Sequence, residues 1–178
     1  MKPIKDMSQM ELAAFVQTHL SNHGVQVILS GGSVVAFYSQ EKYVSKDLDF
    51  INIGFVKRPR IEQIMAEIGF FERDRYFRHP ESPFLIEFPP GPLKVGEQTV
   101  DSFNEVKFTT GVLRLLTPTD CVKDRLAAYF YWADRQCLQQ AIWVYQTSDV
   151  DLGEVRRWAG VEGKVREFEE IKVRFIKS

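Results

Sequence analysis

The 178-residue chain is 44% apolar and 13% aromatic, which excludes disorder as its main state and suffices for the core of one domain, or of one domain with a helical appendage. Its 23 basic and 24 acidic residues give a net charge of -1, so bulk charge does not mark it as a nucleic-acid binder, and a polyanion must be met by a local patch. Cys121 and Cys137, the only cysteines, form no CxxC or finger pattern, no uncharged apolar run approaches the ~20 residues a membrane span needs, and Met-Lys-Pro-Ile-Lys-Asp lacks the apolar region of a signal peptide. The expectation is a cytoplasmic protein with free buried thiols and no membrane partner.

In chain order, Ser8 and Glu11 form a capping box at the head of an amphipathic helix that runs to His23 and stops at Gly24. Val25 to Leu29 reads as a buried strand, and Gly31-Gly32 turns the chain into a helix from Ser33 to Ser39. Lys46 to Ile53 reads as a strand with a polar start and an apolar end. Pro59 opens a helix through Ile68, stopped by Gly69. Phe70 to Phe77 and Phe84 to Phe88 are predicted as two strands around His79-Pro80, and Pro89-Pro90-Gly91-Pro92 then breaks the chain. Val100 to Leu116 holds one or two strands, with Thr109, Thr110 and Gly111 as the turn. Beyond Pro118, one long helix from Asp120 to Tyr145 and two shorter ones are predicted. The fold class is α/β (α+β): a mixed sheet over 1–117 with flanking helices, and a C-terminal helical bundle over 118–178.

The chemistry is concentrated between Leu29 and Phe50. Gly31, Gly32 and Ser33 stand at the start of a helix, where backbone N–H groups, a hydroxyl and the positive end of the macrodipole favour phosphate. Asp47 and Asp49, two apart on a strand, project to the same side and can share Mg²⁺. A third carboxylate is expected from a neighbouring strand. Glu87, the sole charge in Phe-Leu-Ile-Glu-Phe, is the first candidate, and Asp101 is its competitor. Phosphoryl and nucleotidyl transfer need alignment and charge neutralisation, which carboxylate-held metal ions supply.

These residues resemble the nucleotidyltransferase-like superfamily of the DNA polymerase β type, whose signature is a Gly-Gly or Gly-Ser turn followed by an Asp-x-Asp strand. Gly31, Gly32 and Ser33 match the first element, Asp47 and Asp49 the second, and Glu87 stands for the third carboxylate. Within the superfamily the chain looks most like small bacterial enzymes related to abortive-infection and toxin–antitoxin nucleotidyltransferases. The resemblance implies transfer of a nucleoside monophosphate from an NTP, with Mg²⁺ or Mn²⁺, to a hydroxyl on RNA, protein or a small molecule, with a cognate antitoxin among the partners of that branch. It also implies a lysine on the helical part that helps to hold the triphosphate, and Lys123 is the residue placed for it. The alternative is a catalytically inactive nucleotide- or protein-binding module on the same fold.

Three other groups are read both ways. Lys57, Arg58, Arg60, Arg73, Arg75 and Arg78 interleave with aromatics and serve either an RNA acceptor or a salt-bridged surface. Trp132, Trp143 and Trp158 are expected to pack the helical core, with base stacking by Trp132 and Tyr129 as the alternative. His19, His23 and His79 are scattered along the chain, which argues against a histidine metal site.

Overall fold

The computed structural model describes residues 2–176. In chain order these form α1 (Gln9–Asn22), β1 (Val27–Ser30), α2 (Gly31–Tyr38), β2 (Asp47–Asn52), α3 (Arg58–Glu67), β3 (Phe71–Arg73), β4 (Tyr76–Arg78), β5 (Leu85–Glu87), β6 (Lys94–Val95), β7 (Gln98–Thr99), β8 (Phe103–Phe108) and β9 (Gly111–Leu116). Four helices follow: α4 (Pro118–Trp132), α5 (Arg135–Thr147), α6 (Leu152–Val161) and α7 (Val165–Ile176). This is the predicted α/β class, with a mixed sheet and a helical C-terminal part. The chain divides into two compact units. The first comprises the residues up to Ser33, Ser45–Leu93 and Phe103–Leu115; the second comprises Val34–Val44, Lys94–Ser102 and the chain from Leu116 onward.

The first unit is built on a seven-stranded sheet in the order β3-β4-β5-β2-β1-β9-β8. β1 runs antiparallel to β2, whereas β2 and β5 are parallel. Leu48, Phe50, Phe77 and Ile86 are buried in it, as are Leu12, Val16 and Leu20 of α1 and Ile61, Ile64 and Met65 of α3. The capping box forms as read: the Ser8 hydroxyl accepts from the Glu11 N–H at 3.3 Å and the Glu11 carboxylate accepts from the Ser8 N–H at 2.8 Å. Buried Gln17 ties α1 to two strands, its amide donating to the Val27 carbonyl and accepting from the Arg114 N–H. Burying that amide is tolerated because both of its ends are hydrogen-bonded.

The segment Phe70–Phe77, predicted as one strand, instead spans most of the β3–β4 hairpin. Asp74 and Arg75 both adopt left-handed backbone, at φ 52° and 71°, the two-residue turn whose twist matches that of its flanking strands. Neither residue is glycine, so the usual turn signal is missing from the sequence.

In the second unit Val122, Leu126, Leu138, Ala141, Val144, Val155, Trp158 and Phe168 form the buried centre, with Val34 and Val35 of α2 also buried. Trp158 donates its indole N–H to the Val95 carbonyl at 3.0 Å, which satisfies the one polar atom of a fully buried ring. Two expectations are corrected. The helix predicted over Asp120–Tyr145 is broken at Ala133, which takes φ 55°, and Asp134 restarts it by accepting from the N–H groups of Gln136 and Cys137. An aspartate N-cap satisfies donors that a continuing helix would have bonded internally. Trp132, at that break, is 82% exposed and packs no core. Cys121 and Cys137 are buried and unpaired with each other, and burial pushes both thiols up, Cys137 to about 11.

Candidate active site

Strand register assembles the carboxylates. Asp49 of β2 lies opposite Ser30 of β1 on one side and Glu87 of β5 on the other, and Glu87 in turn lies opposite Tyr76 of β4. One row therefore crosses four strands as Ser30, Asp49, Glu87 and Tyr76. Asp47, two residues before Asp49, shares its side of the pleat. The residues between them, Leu48 and Ile86, face the core and are fully buried, while Asp47, Asp49 and Glu87 are half-buried. The sheet thus presents three carboxylates on one face and an apolar underside that fixes their direction. Ser30, which sequence reasoning passed over, donates its hydroxyl to the Asp49 carbonyl at 3.2 Å and so braces the strand at this row.

The glycine turn is fitted to the same row. Gly31 has φ 71°, and a Cβ built on it falls 2.2 Å from Oδ2 of Asp49 and 3.1 Å from its Cγ. No other residue can stand there without displacing the carboxylate. The requirement for glycine is therefore double: a left-handed backbone, and a carboxylate seated against the chain at the first residue of α2. Gly32 and Ser33 follow in the first turn of that helix, whose leading N–H groups have no partner within it. Ser33 is fully buried and donates its hydroxyl to the Ser30 carbonyl at 3.3 Å. The hydroxyl predicted for phosphate is thus spent inside the turn, and the part-exposed backbone at the head of α2 is that of Gly31 and Gly32.

A basic side chain reaches this face. Arg75, at the tip of the β3–β4 turn, brings Nε to 3.5 Å from Oε1 of Glu87 and donates to the Tyr76 hydroxyl oxygen at 2.6 Å. The Tyr76 contact, then the charges of Glu87 and, more weakly, Asp47, hold the guanidinium above its usual range. The rest of the basic cluster divides. Arg58 lies over the rings of Phe77 and Phe88, pairs with Glu72 at 2.5 Å and donates to the carbonyls of Phe88 and Arg75, so its charge serves the fold. Arg78 lies over the Tyr76 ring.

Two sequence-derived candidates lie in the second unit. Lys123 is 3% exposed and its ammonium is matched by Asp120 at 3.2 Å and Glu154 at 2.7 Å. Asp101 is exposed in the loop after β7 and lines a cleft with Asp120, Lys123 and Glu154. Register with Asp49 singles out Glu87 as the third carboxylate of the face.

No protein-family model and no curated protein matches the sequence. Among solved structures, the chain superposes on ANT(2'')-Ia in complex with adenylyl-2''-tobramycin with a TM-score of 0.58, at 15% identity over 88% of this chain and 97% of that one. It also superposes on an antigenic nucleotidyltransferase-like protein from Paracoccidioides brasiliensis with a TM-score of 0.56, at 12% identity over 78% of this chain and 76% of that one. With a glycine turn abutting an Asp-x-Asp strand and a third carboxylate in register beside it, the chain has the nucleotidyltransferase-like fold.

Proposed function

We propose that the protein is a Mg²⁺-dependent nucleotidyltransferase that moves a nucleoside monophosphate from an NTP to a hydroxyl acceptor. The observation that carries the proposal is the row itself: Asp47, Asp49 and Glu87 on one face, with the Asp49 carboxylate seated against Gly31 at the head of α2. Three carboxylates gathered on adjacent strands repel one another, and a divalent cation is the chemically natural compensation, so the donor set fits Mg²⁺ or Mn²⁺. Bound there, the metal would supply charge neutralisation at the transferring phosphoryl group and its leaving pyrophosphate.

The chain's own contributions follow from the geometry. Asp47 and Asp49 would hold the cation, and Glu87 would serve either as its third ligand or as the general base that takes the proton of the acceptor hydroxyl. The N–H groups of Gly31 and Gly32, part-exposed at the positive end of α2, would receive phosphate oxygens. The acceptor oxygen forms a bond to the α-phosphorus as the bond to pyrophosphate breaks, and the hydroxyl proton passes to a carboxylate. The neighbour with adenylyl-2''-tobramycin supports a small polyhydroxylated acceptor as one class, alongside RNA and protein hydroxyls. The test is incubation with each NTP labelled at the α-phosphorus, with Mg²⁺, against cell-extracted RNA, protein and small molecules. Metal-dependent label on one acceptor class, lost in Asp49→Asn, is expected. Failure of every NTP both to transfer label and to bind in the presence of Mg²⁺ or Mn²⁺ overturns the proposal.

A further inference from the structure

His19 in the last turn of α1 and His23 at its C-cap meet Glu67 at the end of α3. Each of the three offers a ligand atom, and these atoms all lie within 4.8 Å of one another. Nε2 of His19 is 3.4 Å, and Nε2 of His23 is 3.1 Å, from the same carboxylate oxygen, Oε2 of Glu67. Spacing i, i+4 puts both imidazoles on one helix face, so histidines that look scattered in the sequence are neighbours in the fold.

The outer contact of His23 favours metal. Nδ1 of His23 donates to the His19 carbonyl at 2.9 Å, the outer hydrogen bond usual for a metal-ligating imidazole, and leaves Nε2, 3.1 Å from Glu67, as the nitrogen for the ion. The ring centroids of His19 and His23 stand 4.6 Å apart, and both Nε2 atoms approach the same Glu67 oxygen. Nε2 of His19 donates to the Ile64 carbonyl at 3.0 Å, and an ion bound there takes the place of that proton. The side chains of His19, His23 and Glu67 are 18%, 28% and 47% exposed, leaving a path for an ion and room for water in a fourth position.

We infer that His19, His23 and Glu67 form a binding site for a first-row transition-metal ion, with Zn²⁺ as the best match to two imidazoles and one carboxylate. The ion clips α1 to α3. The site shares no residue with the carboxylate face of β2 and β5, and it stands or falls apart from the proposed transferase activity.

Tag-free protein, stripped of metal, is titrated with Zn²⁺ by calorimetry and with Co²⁺ by visible absorption, in parallel with His23→Gln, Glu67→Gln and Asp49→Asn. The expected result is one equivalent of Zn²⁺, intense tetrahedral-type Co²⁺ bands, and a raised melting temperature in the wild type and in Asp49→Asn. His23→Gln or Glu67→Gln should weaken binding by ~10-fold or more. Absence of saturable Zn²⁺ binding overturns the inference. So does binding that survives in both ligand variants, or that is lost only in Asp49→Asn, which would place the ion on the other carboxylates.

Discussion

Two charged clusters in this protein are built on opposite principles. On the face of β2 and β5, three half-buried acids gather, and the largely exposed Arg75 stands 3.5 Å from Glu87. In the helical unit, Lys123 is sealed between Asp120 and Glu154, and Glu154 is shared with Arg157, so two acids meet two bases. A cluster sealed from water with its charges matched holds structure together, whereas half-buried carboxylates gathered on one sheet face are a donor set suited to a cation. On the proposed function, catalysis belongs to the first and stability to the second, and mutations should separate the two.

The largest effect on activity should come from Asp49→Asn, which removes a proposed metal ligand: nucleotidyl transfer should fall by ~10³-fold or more with the melting temperature nearly unchanged. Gly31→Ala should come next, lowering transfer by ~10²-fold because the new Cβ must push the Asp49 carboxylate aside. It should also cost about 1–3 kcal/mol in chemical denaturation, since alanine is strained at φ 71°. Lys123→Met should reverse the pattern, destabilising the protein by about 3–5 kcal/mol because it leaves Asp120 and Glu154 without their shared cation.

Glu154→Gln should be milder, about 2 kcal/mol at neutral pH. Its pH dependence is the sharper reading. Arg157 foremost, and then Lys123, hold the Glu154 carboxyl at about 2, below the ordinary 4.5. A depressed folded value means that the wild type's advantage over Glu154→Gln is full above 4.5 and drains as pH falls toward 2. The smallest effect belongs to Arg75→Ala. Without the guanidinium beside Glu87 and the weaker attraction to Asp47, apparent Mg²⁺ affinity should tighten by a few-fold, read from the metal dependence of NTP binding.

Much of the site was legible because its residues lie on regular elements. A period of two puts Asp47 and Asp49 on one side of a strand, and a lone Glu87 among apolar residues marks the exposed side of another. The register that sets Glu87 beside Asp49 and Ser30 was not legible, since pairing between strands so far apart in sequence depends on the assembled sheet. Arg75 reached the face through a turn made without glycine, and the break at Ala133 was hidden by an apolar stripe that continues across it; Asp134 as an N-cap was the one available signal. The meeting of His19 and His23 was written in their i, i+4 spacing, but the arrival of Glu67 from α3 was not.

On the proposed function, Asp47, Asp49 and Glu87 hold a divalent metal on which NTP binding depends. Calorimetric binding of a non-hydrolysable NTP, with and without Mg²⁺, to the wild type and to Asp49→Asn tests it most directly. The account predicts binding to the wild type only with Mg²⁺ and none to Asp49→Asn; equal binding with and without the metal, unchanged in Asp49→Asn, would contradict it.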